Sequence, residues 1–259
     1  MTQALVGEHW DYSRHAKYYE FRPNYNPKAV DLLVQYAAAR PSSDYRIADI
    51  GAGTGNLTIM LLERGLTVAA LEPNDEMRII GIERTAGSKN VQWIKANGIE
   101  TSLPDSSVNW VTFGSSFNVM DRELALKETY RILKNGGFFT CMWNHRNLND
   151  PVQEQAENII ERFVPDYDRG VRREDQRPVI EQNAALYKDI LYLESDFEIP
   201  RSIDEYIKAW KSVKNRYWDL STKEGELLFQ TITDTMRTEL PPLFNIRYTT
   251  RAWTAQKVG

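Results

Sequence analysis

The chain of 259 residues contains a single cysteine, Cys141, and only three histidines, His9, His15 and His145. One cysteine excludes an internal disulfide, and no Cys/His cluster has the spacing of a zinc site, so no metal is expected. Positive charge is not in excess either: 32 Lys and Arg stand against 36 Asp and Glu, for a net charge of −4. Such a surface argues against nucleic acid as a partner. No apolar run approaches the length of a membrane span. The first residues, MTQALVGEHW, lack a basic segment followed by an apolar one, so a cytoplasmic, non-membrane protein is expected. Internal repeats and low-complexity linkers are also missing. What remains is a globular composition, 42% hydrophobic and 26% charged, at a length that suits one domain with a built-in cap.

Between residues 45 and 143, short apolar runs alternate with helix-like stretches, the signature of βαβ units and a parallel sheet. Strands are predicted at 45–50, 66–72, 91–96, 108–114 and 138–143. Helices are predicted at 55–64, 75–84 and 121–133, the last with Leu126, Tyr130 and Leu133 on one face. Lys134-Asn135-Gly136-Gly137 reads as its stop. From 144 onward the pattern is mostly helical, at 151–163, 202–217 and 223–240, with strands at 189–197 and 244–253. Ahead of the sheet, helices are expected around 9–19, where Tyr12, His15 and Tyr19 share a face, and at 27–40, opened by a proline suited to a first turn. The whole reads as a doubly wound, Rossmann-like α/β fold. It has a seven-stranded, mostly parallel sheet with an antiparallel edge strand, plus a helical cap. As one unit of 259 residues it divides into N-terminal lid helices (1–40), a core (41–144), a cap with strand six (145–243) and a final strand (244–259).

The strongest motif is Asp49-Ile50-Gly51-Ala52-Gly53-Thr54-Gly55, which leaves a strand and opens a helix. Glycines there let the backbone turn tightly and approach a ligand. Seventeen residues on, Glu72 ends the second strand in Leu71-Glu72-Pro73-Asn74. An acid at that position sits beside the loop at the switch point of a doubly wound sheet, where it can accept both hydroxyls of a ribose. A dinucleotide dehydrogenase is the rival reading. Against it, the third glycine comes one residue early, since the dinucleotide pattern needs it at position 56, where Asn56 stands. Asp49 would oppose a pyrophosphate and suits an ammonium group instead. No Ser-Tyr-Lys constellation is visible.

The run from Asp49 to Gly55 resembles motif I of the class I S-adenosylmethionine (SAM)-dependent methyltransferases. Glu72-Pro73-Asn74-Asp75-Glu76-Met77 is similar to the family's acid after strand two, with its following methionine. Ala96-Asn97-Gly98-Ile99-Glu100 is similar to the loop over adenine, Leu103-Pro104-Asp105-Ser106-Ser107-Val108 to the run into strand four, and Leu133-Lys134-Asn135-Gly136-Gly137 to the turn before strand five. Weaker similarity, in Tyr18-Tyr19-Glu20-Phe21-Arg22-Pro23-Asn24-Tyr25 and Trp143-Asn144-His145-Arg146-Asn147, is to the trans-aconitate-methyltransferase-like group of small-molecule enzymes. The resemblance implies SAM as cofactor and a small-molecule acceptor. It implies a cofactor site made by Asp49, Gly51, Ala52, Gly53, Gly55, Glu72, Pro73, Met77, Asn97, Gly98, Ile99 and Ser115, with Tyr19 and Arg22 from the N-terminal segment. Two departures stand out: Asn97 replaces the usual aspartate, and Phe117-Asn118-Val119 stands where related enzymes often read Phe-His-Trp.

SAM carries a sulfonium, which aromatic faces attract; Tyr18, Tyr19 and Tyr25 are candidates for that contact or for simple packing. Arg22 is a candidate partner for the SAM carboxylate, or a surface cap on Glu20. Trp210, Tyr217 and Trp218 are candidates for an acceptor pocket or for helix–sheet packing. Transfer is an in-line displacement that rests on alignment and exclusion of water. A hydroxyl acceptor also needs a base, for which His145 and His15 are candidates, His9 less so, while Asn118 or Asn144 would orient the substrate. Losing the histidine at 118 also raises an alternative: a cyclase or isomerase that binds SAM without transferring methyl. A binding module without catalysis is the third reading. Neither acceptor identity nor oligomeric state is legible.

Overall fold

A computed structural model describes residues 14–168, 174–213, 215 and 217–259. The strands are β1 (Arg46–Ile50), β2 (Thr67–Leu71), β3 (Val91–Ile94), β4 (Val108–Gly114), β5 (Leu133–Arg146), β6 (Tyr187–Ser202) and β7 (Leu243–Lys257). The α-helices are α1 (Pro27–Tyr36), α2 (Asn56–Leu62), α3 (Asp75–Thr85), α4 (Arg122–Ile132), α5 (Pro151–Phe163), α6 (Arg177–Glu181), α7 (Ile203–Lys211) and α8 (Lys223–Glu239). Side chains explain most of the helix starts. Asn26, Asn74, Asp121, Asp150, Ser202 and Thr222 each accept a backbone N–H from the first turn, and Ser202 forms a reciprocal capping box with Glu205. Pro27 and Pro151 occupy first-turn positions, where no N–H is needed.

The seven strands form one sheet in the order β3-β2-β1-β4-β5-β7-β6. Strands β1 to β5 pair in parallel, and β7 lies antiparallel between β5 and β6. This is the expected Rossmann-like sheet, with its antiparallel member one place in from the edge. Alternate residues along the strands serve opposite faces. Ile47, Val68, Trp110 and Met142 pack with Leu57, Met60 and Leu61 of α2 and with Val30 and Leu33 of α1. On the other face, Ala48, Val111, Phe113, Phe139 and Cys141 pack with Leu126 and Ile132 of α4. The single cysteine is a core residue. Beyond Arg146, which pairs with Tyr248, β7 continues alone with β6 to the Ser202/Leu243 pair. That projecting ribbon joins α5, α7 and α8 in a separate core of Ile159, Ile160, Ile207, Phe229, Ile232, Met236 and Ile246. The cap thus stands on an extension of the sheet.

Several elements depart from their sequence boundaries. The 134–137 stop lies inside β5: the register jumps from Leu133/Val108 to Phe138/Trp110, and Gly136 takes φ +73°. The surplus residues bulge out of the ladder rather than ending it. The 202–217 helix stops at Lys211, with Ser212 as its cap. The predicted 9–19 helix is represented by a 3₁₀ helix over Ala16–Phe21, and the rest of it, with His9 and Tyr12, lies outside the described residues. Helix α6 and a 3₁₀ turn at Phe117–Val119 were not foreseen. Among the described residues no helix is long and apolar enough to cross a membrane.

Candidate active site

Strand order reverses between β1 and β4, which opens a crevice beyond the carboxyl ends of the strands. A cavity of about 870 Å³ occupies it and continues under α7. Its first wall is the β1–α2 loop. Gly51 and Gly53 hold φ of +66° and +59°, a region side chains disfavour. A Cβ on Gly51 would stand 2.5 Å from the Cβ of Ser116, whose hydroxyl donates to the Ile50 carbonyl. A Cβ on Gly53 would meet the Met77 methyl at 3.3 Å. The loop is tied to β2 by Ala52 N–H on Leu71 O (2.9 Å) and by Gly53 N–H on Glu72 Oε2 (2.8 Å). Glu72 Oε1 accepts the Asn74 N–H at 2.9 Å. Burial raises the pKa of Glu72, against those two N–H groups and Arg78.

Below the loop, Asp49 is fully buried. Its two oxygens accept the hydroxyls of Thr58 (2.6 Å) and Thr112 (2.9 Å). Burial pushes its carboxyl up to about 6 despite those bonds. Asn97 folds its own loop, Oδ1 accepting from Ile99 and Glu100 N–H, both at 2.9 Å. Both lone pairs of that oxygen are thereby engaged in shaping the loop. Ser115 sits at φ +62° on the cavity wall, and its hydroxyl and that of the buried Tyr25 share a hydrogen bond of 2.9 Å. A non-glycine residue held there is strain of the kind that collects at functional sites.

The expected cofactor residues Asp49, Gly51, Ala52, Gly53, Glu72, Pro73, Met77, Asn97, Gly98, Ile99, Ser115, Tyr19 and Arg22 all line this cavity, as does His145. Three expected residues do not line it. Gly55 caps α2 at φ +86°, and a Cβ there would meet the Trp93 ring at 3.3 Å, so this glycine serves helix packing. Asn118 Oδ1 accepts the Trp143 indole N–H at 3.0 Å, while Phe117 is held among Phe113 and Phe139. His15 Nδ1 bonds Lys211 O at 2.8 Å and tethers the N-terminal segment to the end of α7. Arg22 does not cap Glu20. Its Nε donates to Ser212 Oγ (2.8 Å) and its Nη2 to Ser212 O (2.6 Å), with the guanidinium 3.9 Å over the Tyr19 ring. Asn144 donates to Pro23 O and Asn24 O and accepts from Thr250, so it too fixes that segment.

The far end of the cavity lies under the cap. Trp210, Tyr217 and Trp218 line it, joined by Tyr167, Tyr206, Tyr248 and Arg146, which sequence reasoning missed. Arg146 stacks 4.5 Å over the Trp210 ring and pairs with Glu157 of α5, a side chain only 1% exposed. Burial opposes the charge of Arg146, but the Glu157 carboxylate outweighs it and raises the guanidinium's pKa. Burial also raises the phenols of Tyr206 and Tyr167 and pushes Tyr248 up to about 12, so all three stay protonated near neutrality. Each therefore keeps its O–H proton and is not a base near neutrality. His145, 8% exposed at the end of β5, is the histidine among the described residues that lines the cavity. No group of three or more His, Cys, Asp or Glu among the described residues is placed to hold a metal ion.

Comparison with known proteins agrees with this geometry. Residues 48–141 match the family profile of a methyltransferase domain. An uncharacterized methyltransferase of Mycobacterium tuberculosis (strain ATCC 25618 / H37Rv) is 39% identical over 126 residues, 49% of this chain and 48% of that protein. A demethylmenaquinone methyltransferase of Staphylococcus aureus (strain MRSA252) is 37% identical over 120 residues, 45% of this chain and 49% of that protein. The chain therefore spans about half the length of the curated relatives it matches. Among solved structures, the YcgJ protein of Bacillus subtilis aligns with a TM-score of 0.56 at 19% identity, covering 90% of this chain and 100% of that one. A Haemonchus contortus phosphoethanolamine N-methyltransferase, solved with S-adenosylhomocysteine, aligns with a TM-score of 0.55 at 15% identity, covering 94% and 57%. The fold is that of the Rossmann-like methyltransferases.

Proposed function

We propose that this chain is a SAM-dependent methyltransferase that acts on a small-molecule acceptor. The observation that carries this reading is the pairing of a left-handed glycine loop with the buried Glu72 carboxylate at one end of a deep cavity. The residues fit the cofactor: bare backbone at Gly51–Gly53, a carboxylate beside it, and a buried acid, Asp49, under the floor. When bound, SAM supplies a methyl group on a cationic sulfonium, activated for displacement. The chain's own residues do the rest. Glu72 accepts ribose hydroxyls, and Met77, Gly98 and Ile99 flank the base. Tyr19 and Arg22, stacked on each other and tied to α7 through the bonds of Arg22 to Ser212, hold the described part of the N-terminal segment (1–40), residues 14–40, over the core (41–144). The cap (145–243) and final strand (244–259) complete the acceptor end, and closure excludes water. Asn118, standing where related enzymes often have histidine, accepts from Trp143 and does not line the cavity; the cyclase or isomerase alternative gains no support from the relatives named above, which are methyltransferases.

Replacing Glu72 with Gln or Ala should weaken S-adenosylhomocysteine binding by about 1.5–3 kcal/mol, the value of a charge-assisted hydrogen-bond pair. Calorimetry on the folded variants checks this; unchanged affinity would remove Glu72 from the site. For a hydroxyl acceptor we assign proton removal to His145, from its position in the cavity wall. His145→Ala should lower turnover by about 10²–10⁴-fold while cofactor affinity holds. His15→Ala, at a tether outside the cavity, should act on the cofactor KM instead. Single-turnover measurement with methyl-labelled SAM separates the two, and a loss under about threefold for His145→Ala rules out its role as base.

A further inference from the structure

The end of the cavity away from Glu72 is built to hold a ring and offers little to a carboxylate. Tyr167, Tyr206, Trp210, Tyr217, Trp218 and Tyr248 wall it. Their rings are fixed against one another. Tyr167 and Tyr217 meet edge to face with centroids 5.1 Å apart, as do Trp210 and Trp218 at 6.1 Å and Tyr206 and Trp210 at 6.3 Å. Rings locked in this way lose little freedom when a planar ligand settles against the wall they form. The wall also holds a donor awaiting an oxygen: the buried indole N–H of Trp218 has no acceptor among the described residues. A buried donor left unbonded is costly unless a ligand accepts from it.

The charges point the same way. Among the described residues two guanidinium groups line the cavity, and each is committed. Arg146 is covered on one face by Trp210 and balanced by the buried Glu157. Arg22 gives two donors to Ser212 and lies on Tyr19. A tricarboxylate placed here would lose its hydration with no uncommitted cation among the described residues to replace it. The weaker sequence resemblance was to a group named for such an acid, and the cavity's chemistry departs from it.

We infer that the acceptor is an uncharged aromatic or fused-ring molecule whose ring lies against Trp210, Tyr217 and Trp218 and whose oxygen meets the Trp218 N–H. This rests on the methyltransferase reading, and the two are separable. The test is calorimetry of the full chain in three steps. S-adenosylhomocysteine is titrated first; failure to bind overturns the methyltransferase reading itself. 1-Naphthol and trans-aconitate are then titrated separately into the S-adenosylhomocysteine complex. Naphthol binding at least tenfold tighter than the tricarboxylate supports the inference. Trans-aconitate binding as tightly as naphthol, or no detectable naphthol binding at millimolar concentration, overturns it while leaving the cofactor result intact. In the third step, Trp210→Leu should weaken naphthol at least tenfold with S-adenosylhomocysteine affinity unchanged. Should that variant fail to fold, Tyr217→Leu, at a half-buried position, makes the same test. Naphthol affinity within twofold of wild type in the folded variant overturns the assignment of the wall.

Discussion

Glu157→Gln should lower the free energy of unfolding by about 3 kcal/mol, and Arg146→Met together with Glu157→Met should restore most of it. A buried pair is a poor source of net stability, because desolvation offsets the attraction. Removing one member is different, since the other is left charged and uncompensated, at about 3–5 kcal/mol. The lower figure applies because 26% of the Arg146 side chain stays open to the cavity while Glu157 is only 1% exposed. In a domain this size the loss corresponds to a melting point lower by about 6–12 °C. Urea unfolding of the single and double variants is the measurement. A single-variant loss under about 1 kcal/mol would mean that the pair is solvated and not buried.

Asp49→Asn should change the dependence of stability on pH. In the folded chain the Asp49 carboxyl is raised from 3.8 to about 6. A raised pKa means that the folded state holds the proton more tightly than the unfolded state. Its contribution is therefore fully present below pH 3.8 and is lost as pH rises through 6. The size of the shift corresponds to about 3 kcal/mol. Asparagine keeps a hydrogen bond to each of Thr58 and Thr112, whose hydroxyls both donate and accept, and has no charge to desolvate. Relative to wild type, the variant should gain about 2.4 kcal/mol between pH 4 and pH 7.5. Other carboxyls cancel in that difference. Glu128, for example, is held at about 2, where hydrogen bonds from Arg131 and Thr101 outweigh its burial. Denaturant unfolding at four or five pH values decides the matter; parallel curves for the two proteins would mean that Asp49 is solvated.

The residues legible in sequence were those constrained by near neighbours in the chain. Gly53 and Glu72 belong to one βαβ unit, whose strand and helix periods fix where the loop and acid fall. Even so, the reason Gly51 must be glycine, the Ser116 Cβ, lies across the strand-order reversal and gives no local signal. Gly55 misled because a glycine at a helix start looks the same whether it faces a ligand or a tryptophan. The acceptor end was less legible. Trp210 was visible as a helix aromatic, but packing and pocket-lining share one pattern, and here it does both. Arg146 falls past the strand predicted to end at 143, with no local signal of its own; its meaning depends on Glu157, a helical residue whose charge would ordinarily face water. Asn118 and His15 were read for their chemistry, and tertiary contacts with Trp143 and Lys211 turned each to structural use.

The position of β7 constrains how the chain can be assembled. All of the sheet pairing of β6 is with β7, which is synthesised after it. While a ribosome is still making the cap helices, residues 187–202 have no strand to join, and the cap has no ribbon to stand on. A chain cut short before Leu243 therefore loses two strands from the sheet, not one, together with the platform of the aromatic wall under α7. The glycine-loop half, whose five parallel strands are complete by Arg146, needs none of this. Translation thus delivers the glycine-loop end of the cavity first, and the end proposed to take the acceptor only when the last strand slots between its neighbours.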